Sequence, residues 1–179
     1  MSQVANNYGQ ALFDLAKEEQ LDTQILQQLE ALQESFRQEP EFITLLSVPN
    51  LPKQERCDIL DNSFRGHVHS YVLNFLKILT EKSYIRHFDG CCKVYKQLYN
   101  QEHGIVPVQV VTAVPMQQTQ MDKLKQKLTQ LTGQSVQLSC KVDPSVLGGV
   151  RLDYDGMQVD GTVRSRLDSV RDLLKNTVL

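Results

Sequence analysis

At Ile105 the apolar pattern of this chain changes period, and that break constrains its fold more than any other feature. Before it, apolar residues recur at helical spacing for about a hundred residues; after it, they begin to alternate. Val4, Tyr8, Ala11, Leu12 and Leu15 share one face of an opening helix, which Ala5, Gly9, Phe13 and Ala16 widen to roughly 200°, twice the stripe one core needs. Ile25, Leu26, Leu29, Leu32 and Phe36 make a second helix, ended by Pro40, and Phe42, Ile43, Leu45 and Leu46 a short third, stopped at Pro49. Pro52 opens a fourth helix in its first turn, with Ile59 and Leu60 inside and Gly66 near its end. Val68, Tyr71, Val72, Phe75, Leu76, Ile78 and Leu79 mark a fifth, and Ile85, Phe88, Tyr95, Leu98 and Tyr99 a sixth, with Gly104 as its stop.

Beyond Ile105, Val106, Val108 and Val110 alternate with Pro107 and Gln109 as a strand ended by Pro115. Met121, Leu124, Leu128 and Leu131 predict one amphipathic helix, closed by Gly133. A second strand carries Val136, Leu138, Cys140 and Val142, and a third Val150, Leu152 and Tyr154. Asp155-Gly156 predicts a tight hairpin into Met157 and Val159, and Thr162 a cap for a last helix with Val163, Leu167, Val170 and Leu174 on one face. The expected architecture is α plus α/β: an N-terminal six-helix bundle over 1–104, then a small C-terminal α/β domain over 105–179.

Composition narrows the function. A hydrophobic fraction of 41% and a charged fraction of 22% suit a globular chain. No apolar stretch approaches the roughly 18–20 residues of a membrane span. Residues 1–7 lack the basic region and apolar core of a secretory signal, and they are not rich in Arg and Ser as a transit peptide is. Net charge is -2, and the densest basic run, Lys123, Lys125 and Lys127, reads as the solvated side of a helix, so no nucleic-acid partner is expected.

No catalytic constellation emerges. His67 and His69 lack the third and fourth ligands of a zinc site, and Cys91-Cys92 lacks the setting that activates a thiol. The Gly148-Gly149 pair opens a strand instead of a phosphate-binding helix, which points to a bulge or a close backbone approach. Asp155 and Asp160-Gly161 read as turn residues. Neither an enzyme, nor a metal site, nor a cofactor is expected, which leaves a chain that holds other proteins.

Two stretches carry a family resemblance. One is Tyr8-Gly9-Gln10-Ala11-Leu12-Phe13-Asp14-Leu15-Ala16. The other is Val142-Asp143-Pro144-Ser145-Val146-Leu147-Gly148-Gly149-Val150-Arg151-Leu152, continued by Asp160-Gly161-Thr162-Val163-Arg164-Ser165-Arg166-Leu167. Together they resemble the delta subunit of F-type ATP synthases, the oligomycin-sensitivity-conferring protein family, over essentially the whole chain. Gly9 stands where that family has alanine.

The resemblance implies a stator role. The bundle would grip the N-terminal segments of the alpha subunits on the catalytic head, and the second domain the b subunits of the peripheral stalk, so that rotor torque is coupled to ATP synthesis and proton transport. Gly148, Gly149, Asp160, Gly161 and Arg164 fall in its signature. It also implies a place on the cytoplasmic face of the bacterial inner membrane, with the membrane touched only through the complex. Apolar anchors at helical spacing suit a helix-in-groove partner, so Tyr8, Ala11, Leu12, Leu15, Val72, Phe75 and Leu76 are the expected alpha-binding residues. The rival reading is a helical RNA-binding adaptor of the transcription-antitermination type.

Overall fold

The computed structural model describes residues 2–162 apart from 49, 147, 155 and 156; the expected hairpin pair, Arg164 and the expected last helix lie outside the described residues. Two compact units divide the chain, residues 1–99 and 100–179.

In the first unit, α1 (Gln3–Glu18) starts where the Ser2 hydroxyl accepts the Ala5 N–H at 3.2 Å. Ala5, Gly9, Leu12, Phe13 and Ala16 form its buried stripe. No side chain precedes α2 (Asp22–Gln38) as a cap; the Asp22 carboxylate accepts the Thr23 N–H at 2.9 Å, and the Tyr95 hydroxyl separately donates to the Asp22 carbonyl at 2.9 Å. Pro40 begins α3 (Pro40–Ser47), where its missing N–H costs nothing. Pro52 is the cap of α4 (Lys53–Phe64), one position before the first turn in which the sequence places it. α5 spans Ser70–Glu81, and a 3-10 turn, Ile85–His87, leads into α6 (Phe88–Glu102), so Ile85 precedes the sixth helix instead of lying in it.

One core runs through these helices. Ile25, Leu29, Leu46, Leu60, Val72, Leu76, Leu79 and Tyr95 are at most 1% exposed. Phe36 is its aromatic hub, stacked on Phe42 at 5.6 Å and edge-on to Phe64 and Phe88. Arg56 is buried as well, and its guanidinium donates to the Leu46 carbonyl at 3.0 Å. That carbonyl belongs to the last turn of α3, the negative end of the helix, which favours the buried cation.

α1 and α6 approach almost backbone to backbone. A Cβ on Gly9 would stand 2.7 Å from the Cys91 carbonyl oxygen and 2.9 Å from the Val94 Cβ. Gly90 faces α1 in the same way, its would-be Cβ 2.9 Å from that of Ala5. Glycine at position 9 is therefore a steric requirement of this helix pair.

The second unit is built on a four-stranded sheet in the order β2-β1-β3-β4. β1 (Ile105–Thr112) pairs in parallel with β2 (Ser135–Val142), so Val108 faces Leu138. On its other side it pairs antiparallel with β3 (Val150–Tyr154), from Val108 opposite Tyr154 to Thr112 opposite Val150. Pro107 falls just outside that antiparallel pairing, where a missing N–H is tolerated. β4 (Met157–Asp160) closes the sheet, with Tyr154 opposite Met157.

The parallel crossover is α7 (Gln118–Thr132), which a Gln117/Gln120 capping box starts and a left-handed Gly133 (φ 68°) stops. Its stripe is only half-buried, and Leu131, expected on that stripe, is 79% exposed. Val106, Val108 and Val136 form the small core beneath Leu128, Leu138 and Leu152.

Candidate functional site

The expected alpha-binding residues separate into two sets. Ala11 is exposed, Leu15 is 38% exposed, and Tyr8 is half-buried with its ring edge-on to Tyr84 at 6.1 Å. Leu12, Val72, Phe75 and Leu76 are instead core residues, at 5%, 0%, 6% and 0% exposure. This corrects the sequence expectation for those four. Helical period marks an apolar stripe, yet a chain's own core and a foreign helix ask for the same stripe, and here the neighbouring helices fill it.

Three outward apolar residues of the first unit were not among those expected, the first being Leu45 on α3, 40% exposed. Ile78 on α5 is 44% exposed, and Tyr84, just beyond α5, is 36% exposed. The signal for Ile78 was in the sequence: α5 is apolar around more of its circumference than one core requires. Tyr84 gave no such signal, because it lies in the irregular link where Ser83 takes a positive φ of 61°. The Tyr8–Tyr84 contact ties the first half of α1 to the segment following α5.

Three cysteines of the first unit, Cys57, Cys91 and Cys92, are buried. Burial pushes the Cys91 thiol up to about 11 and the Cys92 thiol higher still, so neither is a ready thiolate. Burial, helped by Glu81, also raises Cys57, whose sulfur lies 3.8 Å from the Glu81 carboxylate. Beside it a cleft of about 250 Å³ is lined by Lys53, Gln54, Glu81 and Lys82. Among the described residues no group of three or more His, Cys, Asp and Glu side chains is placed to hold a metal ion, and no helix is long and apolar enough to cross a membrane.

In the second unit the two glycine motifs meet. Gly149 has φ +86°, and a Cβ there would lie 2.7 Å from the Gly161 carbonyl oxygen and 2.9 Å from the Thr162 Cα. Gly161 donates its N–H to the Val150 carbonyl at 3.1 Å. Asp160 accepts the Thr162 N–H at 2.9 Å, and that hydrogen bonding holds its carboxyl below the usual carboxylate range. Asp143 does the same for Ser145, at 3.0 Å. Gly148 is half-buried beside this contact. Gly149, at the start of β3, and Asp160-Gly161, at the end of β4, therefore form one backbone clasp.

Known proteins resemble this chain over nearly its whole length. The family of the ATP synthase delta (OSCP) subunit matches residues 4–174. An ATP synthase subunit delta of Alkaliphilus oremlandii is 32% identical over 98% of this chain and 98% of its own length. That of Clostridioides difficile is 30% identical over 98% and 97%. A chain in the cryo-EM structure of the Toxoplasma gondii mitochondrial ATP synthase hexamer shares the fold, with a TM-score of 0.77 at 19% identity over 97% of this chain and 98% of that one. On the family match and these relatives, the chain belongs to the ATP synthase delta (OSCP) subunit family.

Proposed function

We propose that this chain ties the catalytic head of an F-type ATP synthase to its stalk, the first unit binding the N-terminal helical segments of the alpha subunits and the second binding the b subunits. As a delta-family member it is a peripheral-stalk, or stator, subunit, and nothing in the comparisons favours the RNA-adaptor reading. A stator needs no reaction of its own, and we assign it none: it stops the head from turning with the rotor. Its place would be the cytoplasmic face of the bacterial membrane that carries the synthase, held there through the complex, in keeping with its bacterial relatives.

The observation that carries the head-binding reading is the set of outward apolar residues Ala11, Leu15, Ile78 and Tyr84 on a unit whose interior is already filled. Leu12, Val72, Phe75 and Leu76 then support that surface from beneath. For the stalk, the region of the Gly149–Gly161 clasp and the segment 163–179 are the favoured contacts.

The test is Ala11→Asp in the full chain. Calorimetric titration with the alpha N-terminal peptide should show binding lost while the unfolding midpoint stays within a degree or two, since an exposed helix position tolerates the change. Undiminished binding would remove the outer face of α1 from the interface. A fragment of residues 1–104 should retain the peptide; failure of a folded fragment to do so would end the proposal of two separate grips.

A further inference from the structure

α5 begins on a histidine. No Ser, Thr, Asp or Asn side chain serves its first amides; the His69 imidazole does, its Nδ1 accepting the Tyr71 N–H at 3.3 Å. The ring lies edge-on to Tyr71 at 4.8 Å, and the His69 backbone N–H donates to the Gln28 carboxamide of α2 at 2.8 Å. Because the partner in the capping bond is an N–H, Nδ1 must be bare and the ring proton must sit on Nε2. A second proton would occupy Nδ1, turn the acceptor into a donor, and place a positive charge at the positive end of α5.

We propose that His69 is a proton-sensitive latch on the N-terminus of α5: closed while the imidazole is neutral, open once it is protonated. Histidine is the side chain whose charge ordinarily changes between about pH 5 and pH 8. Among the described residues no carboxylate is hydrogen-bonded or ion-paired to the His69 imidazole. α2 presents the neutral Gln28 to His69, and Glu30 of the same helix is engaged by Lys96 at 2.7 Å. Before His69 come His67 and Arg65, the latter paired with Asp61 at 3.3 Å. On α5, Tyr71 is the titratable group in contact, and Lys77, the first charged residue, pairs with Asp61 at 2.6 Å. Among the described residues His69 has no ion pair.

A second histidine supplies the contrast. His87 Nδ1 lies 3.4 Å from the Ser2 hydroxyl that caps α1. Either of those atoms can donate, so Ser2 keeps the Ala5 N–H whichever way the proton lies. Protonation therefore opens the start of α5 and spares that of α1. The consequence for function rests on the head-binding reading: α5 carries Ile78, so acidification loosens one of the two helices proposed to hold the head.

NMR of the full chain tests the latch. At about pH 7.5 the His69 ring should be the Nε2–H tautomer. On going to about pH 5.5 the Tyr71 amide should lose roughly five-fold of its protection against exchange, corrected for intrinsic rates, which is the size of one helix cap. His69→Asn, which caps without gaining a proton, should abolish that step, and His87→Asn should keep it. A proton on Nδ1 near neutral pH, or an equal step in His69→Asn, overturns the latch. Titrating the alpha N-terminal peptide then tests the consequence: its affinity should fall several-fold over the same range in the wild type and not in His69→Asn. Binding with no His69-dependent step refutes the coupling. No binding at either pH refutes the head-binding reading, while the Tyr71 amide still decides the latch.

Discussion

The two units of this molecule are held together by different means. In the helical unit cohesion is in side chains: residues from six helices and a 3-10 turn meet in one core, and Phe36 alone touches the rings of Phe42, Phe64 and Phe88. In the sheet unit the buried side chains are few, α7 has no buried residue, and cohesion is in the backbone, through the two ladders of β1 and the Gly149–Gly161 clasp. A filled side-chain core leaves residues such as Leu15 and Ile78 free to face outward. The backbone clasp leaves no such freedom at Gly149, where a Cβ would collide with the Gly161 carbonyl and the Thr162 Cα.

Substitutions should expose this difference, beginning with the largest effect. Gly149→Ala puts an L residue at φ +86° and a methyl against backbone atoms. Left-handed strain and overpacking together should cost the sheet unit about 3 kcal/mol. Hydrogen exchange should show β3 amides opening while the α1 and α5 amides keep their protection; equal loss in both units would mean that they unfold as one. Gly9→Ala is the counterpart in the helical unit. Helix propensity favours alanine by about 0.5–1 kcal/mol, but the methyl would lie 2.7 Å from the immobile Cys91 carbonyl. The clash should win by about 1.5 kcal/mol, read as a lower urea midpoint. A stabilised Gly9→Ala would show that α1 and α6 can separate cheaply, and so that their contact is looser than the core around it.

A smaller loss, about 1 kcal/mol, should follow Tyr95→Phe, which removes the hydroxyl from the Asp22 carbonyl and leaves the ring packing on Phe13 at 5.4 Å. The last contrast is one of pH. The Lys77 hydrogen bond, with Arg65, holds the Asp61 carboxyl below its ordinary value of 3.8, and the Thr162 bond holds Asp160 down likewise. Such a carboxylate stabilises the fold fully above its unfolded value and loses that contribution as pH falls through the lowered one. Acid unfolding should therefore flatten in the helical unit alone for Asp61→Asn and in the sheet unit alone for Asp160→Asn, which keeps an oxygen for the Thr162 N–H.

Local pattern made much of this fold legible. The 3.6 period located α1 to α6, and alternation located the strands, because each element must turn apolar residues to one side. Contacts between distant residues were not legible. Nothing near Gly9 announces the Cys91 carbonyl, and nothing near Arg56 announces the end of α3 that it neutralises. The candidate site was half legible for the same reason: the stripe containing Val72, Phe75 and Leu76 was visible, but its burial depends on helices far away in sequence. Gly148-Gly149 stood out as a close approach, whereas its partner, Gly161, became evident only in three dimensions.

The order of the strands also fixes an order of events during synthesis. β1 needs β2 on one flank and β3 on the other, and the first antiparallel partner to be made, Val150, lies 38 positions after Thr112. The helical unit groups over residues 1–99, and its last helix, α6, is complete by Glu102. At about 5–20 residues per second, several seconds separate the two completions on the ribosome. During that interval a helical unit stands finished, with its outward face in place, while the unit that follows is still an unpaired strand.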